Sequence, residues 1–283
     1  RNPGIDLAAD RLEIGVCAQH NNGGIDVDLW WRSSIAGLFP VGEAAGAHGV
    51  ARPGGAALNS AQVGATRAAQ WIAAREQGAA RADEGWQELA GDALQKARSL
   101  LEAACGREES SGVLIDDVLM ESTRAMSDNA GLVRSRQGLE ELARNVAEWR
   151  RRVVDECVVD PTSRRSVDRL FLVRDILDVQ AVYVAAMLDH LDHGVGSRGS
   201  VLYTDPDGDL PVSWWNDGAD LDVEEIFRHR LDSKAHHGVT QRVSVDAVGE
   251  AIHAHWGPVR PIPTEDEFLE NVWKTYRVDH NIH

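Results

Sequence analysis

The chain has 283 residues, enough for one large or two modest domains with ample core. Hydrophobic residues make up 43% of it, as in folded globular chains, and its net charge of −16 argues against a nucleic-acid surface, which needs clustered Lys and Arg. No apolar run approaches the roughly 20 residues of a membrane span, and no signal peptide is visible. Cys17, Cys105 and Cys157 are widely separated and form no CxxC. Such cysteine use predicts a reducing, cytoplasmic location and gives no support for zinc or iron–sulfur ligation.

Residues 1–34 hold short pieces: Leu12-Glu-Ile-Gly-Val16, the polar Gln19-His-Asn-Asn-Gly-Gly24, and Ile25-Asp-Val-Asp28, whose alternation predicts a strand. The apolar run Ile35 to Val41 is broken by Gly37 and closed by Pro40 and Gly42, which predicts a brief buried strand. Gly42-Glu43-Ala-Ala-Gly46, His48-Gly49, Arg52-Pro-Gly-Gly55 and Leu58-Asn-Ser60 follow, then an Ala-rich helix from about Asn59 to Ala74 with Asn59 as its N-cap. Three needs of a nucleotide cofactor site meet in this stretch. Glycines admit close backbone approach, a helix start offers N–H groups, and an acidic side chain can accept from a sugar hydroxyl. Arg52 carries a planar fork that matches a carboxylate bidentately, which lysine cannot reproduce.

After Gln77-Gly78 the pattern changes to helical periodicity. Apolar residues recur at three- and four-residue intervals from Asp83 to about Cys105, from Val113 to Asn129, and from Leu139 to Cys157. Ser163 or Ser166 caps a fourth helix that runs to about His190. Four helices with short connections predict an antiparallel bundle. Asp205-Pro-Asp-Gly-Asp209 reads as an acidic turn, since it lacks the later ligands of a calcium loop. The remainder predicts a strand at Val212–Trp215, short helices at Val223–Leu231 and Ser244–His255, and a last helix from Glu265 to Tyr276. His236-His237 and His253-Ala-His255 have no carboxylate or cysteine frame, so no metal site is expected. No internal repeat is evident. The division is therefore 1–78, 79–195 as a helical bundle, and 196–283 as a mixed C-terminal extension.

The ordered set from Ile35 to Ala74 closely resembles the C-terminal flavin-contacting segment of the succinate dehydrogenase/fumarate reductase flavoprotein family. That family shows a strand ending in Gly-Glu, then His-Gly, an arginine, and a Gly/Ser/Asn/Leu-rich turn into a helix. The resemblance extends upstream to His20-Asn-Asn-Gly-Gly24 and downstream through the helical region, where the family also carries a helical domain. The family's common version has Thr-Met or a similar pair where Asn21-Asn22 stand here. Gly196-Ser-Arg-Gly-Ser200 resembles its Glu-Ser-Arg-Gly turn, with Arg198 tying that turn to nearby carbonyls or carboxylates.

The resemblance implies a mixed, mainly α fold. A strand–loop–helix piece of an FAD-binding α/β domain would lead into an antiparallel helical bundle and a mixed tail. It implies FAD, contacted by Gly42, Glu43, Gly54, Gly55, Leu58, Asn59 and Ser60, with Glu43 accepting from a ribitol hydroxyl. It also implies a small carboxylate substrate held by His20 and Arg52. These flavoproteins open with a strand–GxGxxG–helix unit that holds the ADP half of FAD. Neither that motif nor room for it lies before Arg1, so the expected partner is an N-terminal FAD-binding half or partner subunit. FAD binding by the chain alone is expected to be weak or absent, and turnover alone is not expected. The rival expectation is a non-catalytic structural or interaction module that retains the family's helical domain.

Overall fold

The structure, a computed structural model, describes residues 22–49, 52, 54–75, 85–107, 112–160, 162–199, 201–212, 222–246, 251–259, 264, 266, 271, 274–275 and 278. The chain divides into two compact units, Arg1–Arg81 with Asn271–His283, and Ala82–Glu270.

In the first unit the principal element is helix α1, Ala56–Arg75. It starts earlier than the sequence suggests. The first ladder bond runs from the Asn59 N–H to the Gly55 carbonyl at 3.1 Å, so Asn59 lies inside the first turn and is not the cap. Gly55, at φ +80°, supplies the turn into the helix that a side chain at this angle would strain. Extended backbone pairs at Ile25, which bridges in parallel to Ala45 through bonds of 2.9 Å and 3.0 Å. A Cβ on Gly24 would lie 2.6 Å from the Ala44 carbonyl oxygen, so only glycine lets these two backbones meet. The run Ile35–Val41 folds as turns instead of the expected strand, closed by Ser33 N–H to Leu38 O and Leu38 N–H to Ile35 O. Gly37 at φ +78° bends the run before any ladder can form, and Ile35 and Leu38 are exposed.

Aromatic and cationic side chains fasten this turn region to α1. Asp28 receives the N–H groups of Trp30 and Arg32 and the Arg32 Nε. Burial pushes its carboxyl up, and the bonds from Arg32 and Trp30 outweigh that push and hold it below the usual range. Trp31 adopts a left-handed backbone, φ 57°, and lays its indole on Gly64, where a Cβ would stand 2.5 Å from the ring. Trp30 is buried and stacks tilted on Trp71, with centroids 5.7 Å apart. Arg67 covers the Trp30 ring at 4.4 Å and Arg32 the Trp71 ring at 4.1 Å.

The second unit is the helical bundle with its C-terminal strands. Its helices are α2 (Trp86–Cys105), α3 (Ile115–Ala130), α4 (Arg136–Asp155) and α5 (Arg164–Asp192). On α4, Leu139, Leu142, Val146, Trp149 and Val153 recur at intervals of three and four, and all are buried. On α5, Leu170, Val173, Leu177, Gln180 and Val184 do the same, and α3 adds Ile115, Val118 and Ser122. These three helices pack against one another around a single core. Helix α2 joins that core through its last turns, where Ala104 is buried and Leu100, Leu101 and Cys105 pack. Its earlier Trp86, Leu89 and Leu94 remain exposed, so the first of the four expected bundle helices is seated at one end only. Ser135 caps α4 by accepting from the Gly138 N–H, and Ser163 caps α5 by accepting from the Ser166 N–H. Arg107 closes the other end of α4, donating to the Val154 and Cys157 carbonyls at 2.9 Å each.

Short parallel pairs clip the helix ends: β1 (Val113–Leu114) with β3 (Cys157–Val158), and β2 (Val133–Arg134) with β4 (Leu202–Asp209). The stretch read as an acidic turn is thus the second half of β4, where Arg230 pairs with Asp205 at 2.8 Å. Within the expected helix 223–231 only Glu225–Phe227 is helical, as one 3₁₀ turn. The described part of 244–255, also expected to be helical, is strand instead. β5 (Val239–Val245) pairs antiparallel with β6 (Ile252–Pro258), in register from Val239↔Pro258 to Val245↔Ile252. Val239, Val243 and Val245, like Ile252, Ala254 and Trp256, fall on a period of two, which suits a strand. Trp256 Nε1 and Gln241 Nε2 both donate to Asp189 of α5, at 2.7 Å and 2.6 Å, which docks the hairpin on that helix. The expected strand 212–215 and helix 265–276 lie largely outside the described residues.

Candidate functional site

The glycine-rich stretch assembles in the first unit, and Arg52 ties its pieces together. The half-buried Arg52 donates from Nη1 to Asn22 Oδ1 at 2.5 Å and from the same nitrogen to the Gly49 carbonyl. One guanidinium nitrogen thereby joins Asn-Gly-Gly to His-Gly, reaching back 30 positions from Arg52 to Asn22. Both Nη1 hydrogens are engaged. The Nε and Nη2 edge makes no hydrogen bond to a described residue, and Arg52 forms no ion pair among them. His48, just ahead of Gly49, is buried. His20 lies outside the described residues.

Gly42 and Glu43 open a 3₁₀ turn, Gly42–Ala44, that packs beside the first turns of α1. Gly42 has φ +66°, and a Cβ there would lie 3.7 Å from Ala61 of α1. Glu43 is exposed on this turn. Because the α1 ladder begins with Asn59, the N–H groups of Ala56, Ala57 and Leu58 precede it and point out of the helix end. No acidic side chain occupies that first turn, where the helix dipole is positive. A Cβ on Gly54 or Gly55 would meet nothing within 4 Å, and Leu58 and Asn59 are exposed with Ser60 partly so.

The structure therefore brings Gly42, Glu43, Gly54, Gly55, Leu58, Asn59 and Ser60 to one end of α1. The bare glycine backbone, outward N–H donors and exposed carboxylate fit the edge of a flavin, which presents acceptor oxygens and sugar hydroxyls. Two elements escaped the sequence reading. Asn22 carried a signal only as a polar residue before Gly-Gly. The Trp30, Trp31 and Trp71 framework carried none, since stacking between residues about 40 positions apart leaves no period.

No family model matches the chain. It is 39% identical over 66 residues to one component of the fumarate reductase (CoM/CoB) of Methanothermobacter marburgensis, which is 23% of this chain and 12% of that protein. Among solved structures, a FrdA variant of Escherichia coli quinol fumarate reductase superposes with a TM-score of 0.62 at 19% identity, covering 87% of this chain and 38% of that one. A quinol-fumarate reductase with menaquinol molecules gives 0.58 at 19% identity, with the same coverage. The Mycobacterium smegmatis Sdh1 complex in its apo form gives 0.55 at 18% identity, over 91% of this chain and 40% of that one. The chain is similar to the C-terminal part of the fumarate reductase/succinate dehydrogenase flavoproteins. It spans 12% of the length of the curated relative and less than half that of the solved chains. The mainly α architecture read from the sequence is the one observed. Among the described residues no helix is long and apolar enough to cross a membrane.

Proposed function

We propose that this chain is the C-terminal portion of a flavin-dependent oxidoreductase that transfers hydride between FAD and a small carboxylate. The observation that carries the reading is Arg52, anchored through Nη1 with its Nε and Nη2 edge unengaged beside an open glycine-rich helix start. The similarity to fumarate reductase and succinate dehydrogenase flavoproteins supports it.

In this reading Gly42, Gly54, Gly55, Leu58, Asn59 and Ser60 receive the flavin on backbone donors and bare backbone, and Glu43 accepts from a ribitol hydroxyl. FAD supplies the hydride chemistry when bound. The chain's own residues orient and polarise: Arg52 grips a substrate carboxylate bidentately, with His20 as a second donor, and draws electron density toward it. The positive end of α1 favours negative charge at its mouth. An N-terminal FAD-binding half or partner subunit would hold the ADP portion.

The test is to purify the chain from its native host with whatever accompanies it, and to compare Arg52→Lys with Glu43→Ala. Arg52→Lys keeps the charge and loses the fork, so reduction of an unsaturated dicarboxylate should fall on the order of a hundredfold at unchanged flavin content. Glu43→Ala should lose flavin first. Normal turnover in Arg52→Lys at full flavin would sink the substrate assignment, and an assembly without flavin would sink the cofactor.

A further inference from the structure

We infer that Asn22 is the positioning residue for Arg52, and that its neutral amide sets both which edge of the guanidinium faces substrate and how much charge that edge carries. The inference rests on the reading of Arg52 as a carboxylate clamp, and deepens it.

The geometry comes from the hydrogen bonds of the guanidinium. Arginine has five N–H donors: two on each Nη and one on Nε. Asn22 Oδ1 and the Gly49 carbonyl take the two on Nη1. That consumes the end-on edge, which needs one hydrogen from each Nη. The side-on edge, Nε with Nη2, keeps two parallel N–H bonds in the plane of the group. It is the edge that matches the two oxygens of a carboxylate. Without Asn22 the guanidinium would hold one bond, to Gly49, and could rotate about the Cζ–Nε axis and swing on its three-methylene stem. With Asn22 it is fixed at two points.

The choice of an amide matters as much as its position. An aspartate at 22 would accept the same hydrogen bond and form an ion pair within contact distance, cancelling much of the field at the outer edge. Asparagine accepts without adding charge. Arg52 makes no ion pair among the described residues, so its full positive charge remains available to an anion. Asn22 is half-buried, so the bond between the two is shielded in part from competing water. The pair reads as an orienting contact built for a small anionic substrate.

The experiment uses the full chain labelled with ¹⁵N-arginine, and malonate as the probe anion. Two quantities are read by NMR: rotation about the Arg52 Cζ–Nη1 bond, and displacement of the Arg52 Nε–H resonance during titration. Loss of the signal in Arg52→Lys assigns it. In the wild-type chain the Nη1 hydrogens should exchange slowly and malonate should move Nε–H. Asn22→Ala should restore fast rotation and weaken malonate binding about tenfold, the scale of one hydrogen bond to a charged group. Asn22→Asp should keep the slow rotation yet weaken malonate at least as much, because geometry is retained and charge is cancelled. A contact that only held the loop together would leave binding intact in Asn22→Asp. Wild-type malonate affinity in both variants would overturn the positioning role and leave the Arg52 clamp standing. An Nε–H that malonate does not move, with Nη1 still held, would overturn the clamp itself. Fast Nη1 rotation in the wild-type chain would overturn the anchor.

Discussion

Along α4 and α5 the side chains at every third or fourth position are sealed from solvent, whereas α1 buries only Gly64 and Ala68 over its twenty residues. The bundle is held by aliphatic burial, worth roughly 1.5–3 kcal/mol for each large side chain. The glycine-rich unit is held by backbone approach at Gly24, indole contact at Gly64 and the Arg67–Trp30–Trp71–Arg32 stack. Leu58, Val63 and Ile72 on α1 stay exposed. Under the proposed function a flavin would lie against this bare backbone, which leaves no room for a sealed core beside it. The bundle stabilises itself; the other unit keeps its donors and its arginine edge available.

Deep truncation inside the bundle should have the largest effect. Leu177 is fully buried between Val173 and Val184 on α5. Leu177→Ala should cost about 2–5 kcal/mol, from lost burial plus the cavity left behind. Hydrogen exchange followed by mass spectrometry should show the loss spread through α3, α4 and α5 with little change in α1. Equal deprotection of both units would mean that they unfold as one and would end the contrast. In the wild-type chain the same measurement should give high protection for α3–α5 and low protection for residues 42–59.

A paired glycine substitution sharpens the comparison at the next scale. Gly64→Ala and Gly91→Ala each bring a helix-propensity gain of about 1 kcal/mol. At Gly64 the new methyl would sit 2.5 Å from the Trp31 indole, and overpacking of about 1–3 kcal/mol outweighs the gain. At Gly91 on α2 nothing lies within 4 Å, so the gain should appear in full. Opposite signs are expected for one chemical change, read as protection in α1 and in α2. A stabilised α1 in Gly64→Ala would show that Trp31 is not seated there.

The sequence made the bundle legible because its signal is periodic: residues three and four apart share a helix face, and Ser163 stood where a cap was needed. The glycine-rich turn was legible as an ordered set, since each glycine there marks an approach or an angle. The hairpin was not. Its apolar alternation, Ile252, Ala254 and Trp256 with His253 and His255 between them, spans few residues, and so short a run fits a helical reading as well. Asn22 on Arg52 and Trp30 on Trp71 were invisible for another reason. Contacts between side chains some 30 to 40 residues apart depend on how loops close, and no local pattern records that.

A smaller effect belongs to the stack itself. Arg67→Gln removes the cation over Trp30 and keeps much of the side-chain length. The loss should be about 0.5–1 kcal/mol, typical of a cation over an indole at a partly exposed site. Quenching and spectral position of the tryptophan fluorescence, referenced to Trp30→Phe, should report it. An unchanged unit would place the work of fastening on Trp31 and Gly64 alone.

The smallest expected effect is acid sensitivity where the hairpin meets α5. His190 stacks on Trp256 at 5.3 Å, with His193 at 5.0 Å and His236 at 6.0 Å from the same ring. Burial is the first cause holding His190 below its ordinary 6.5, and the nearby charges of Arg198, Arg134 and His236 add to it, while Asp189 opposes. The docked state therefore prefers the neutral ring. Its folded value lies under the unfolded one, so the open state binds more protons as pH falls below 6.5. Docking strength conferred by His190 is complete above 6.5 and declines from there toward the folded value. Exchange in β5 and β6, corrected for its intrinsic pH dependence, should rise on mild acidification, and His190→Asn should lack that component. Were the variant to keep the same acid response, the response would not belong to His190, and the stack on Trp256 would not be its source.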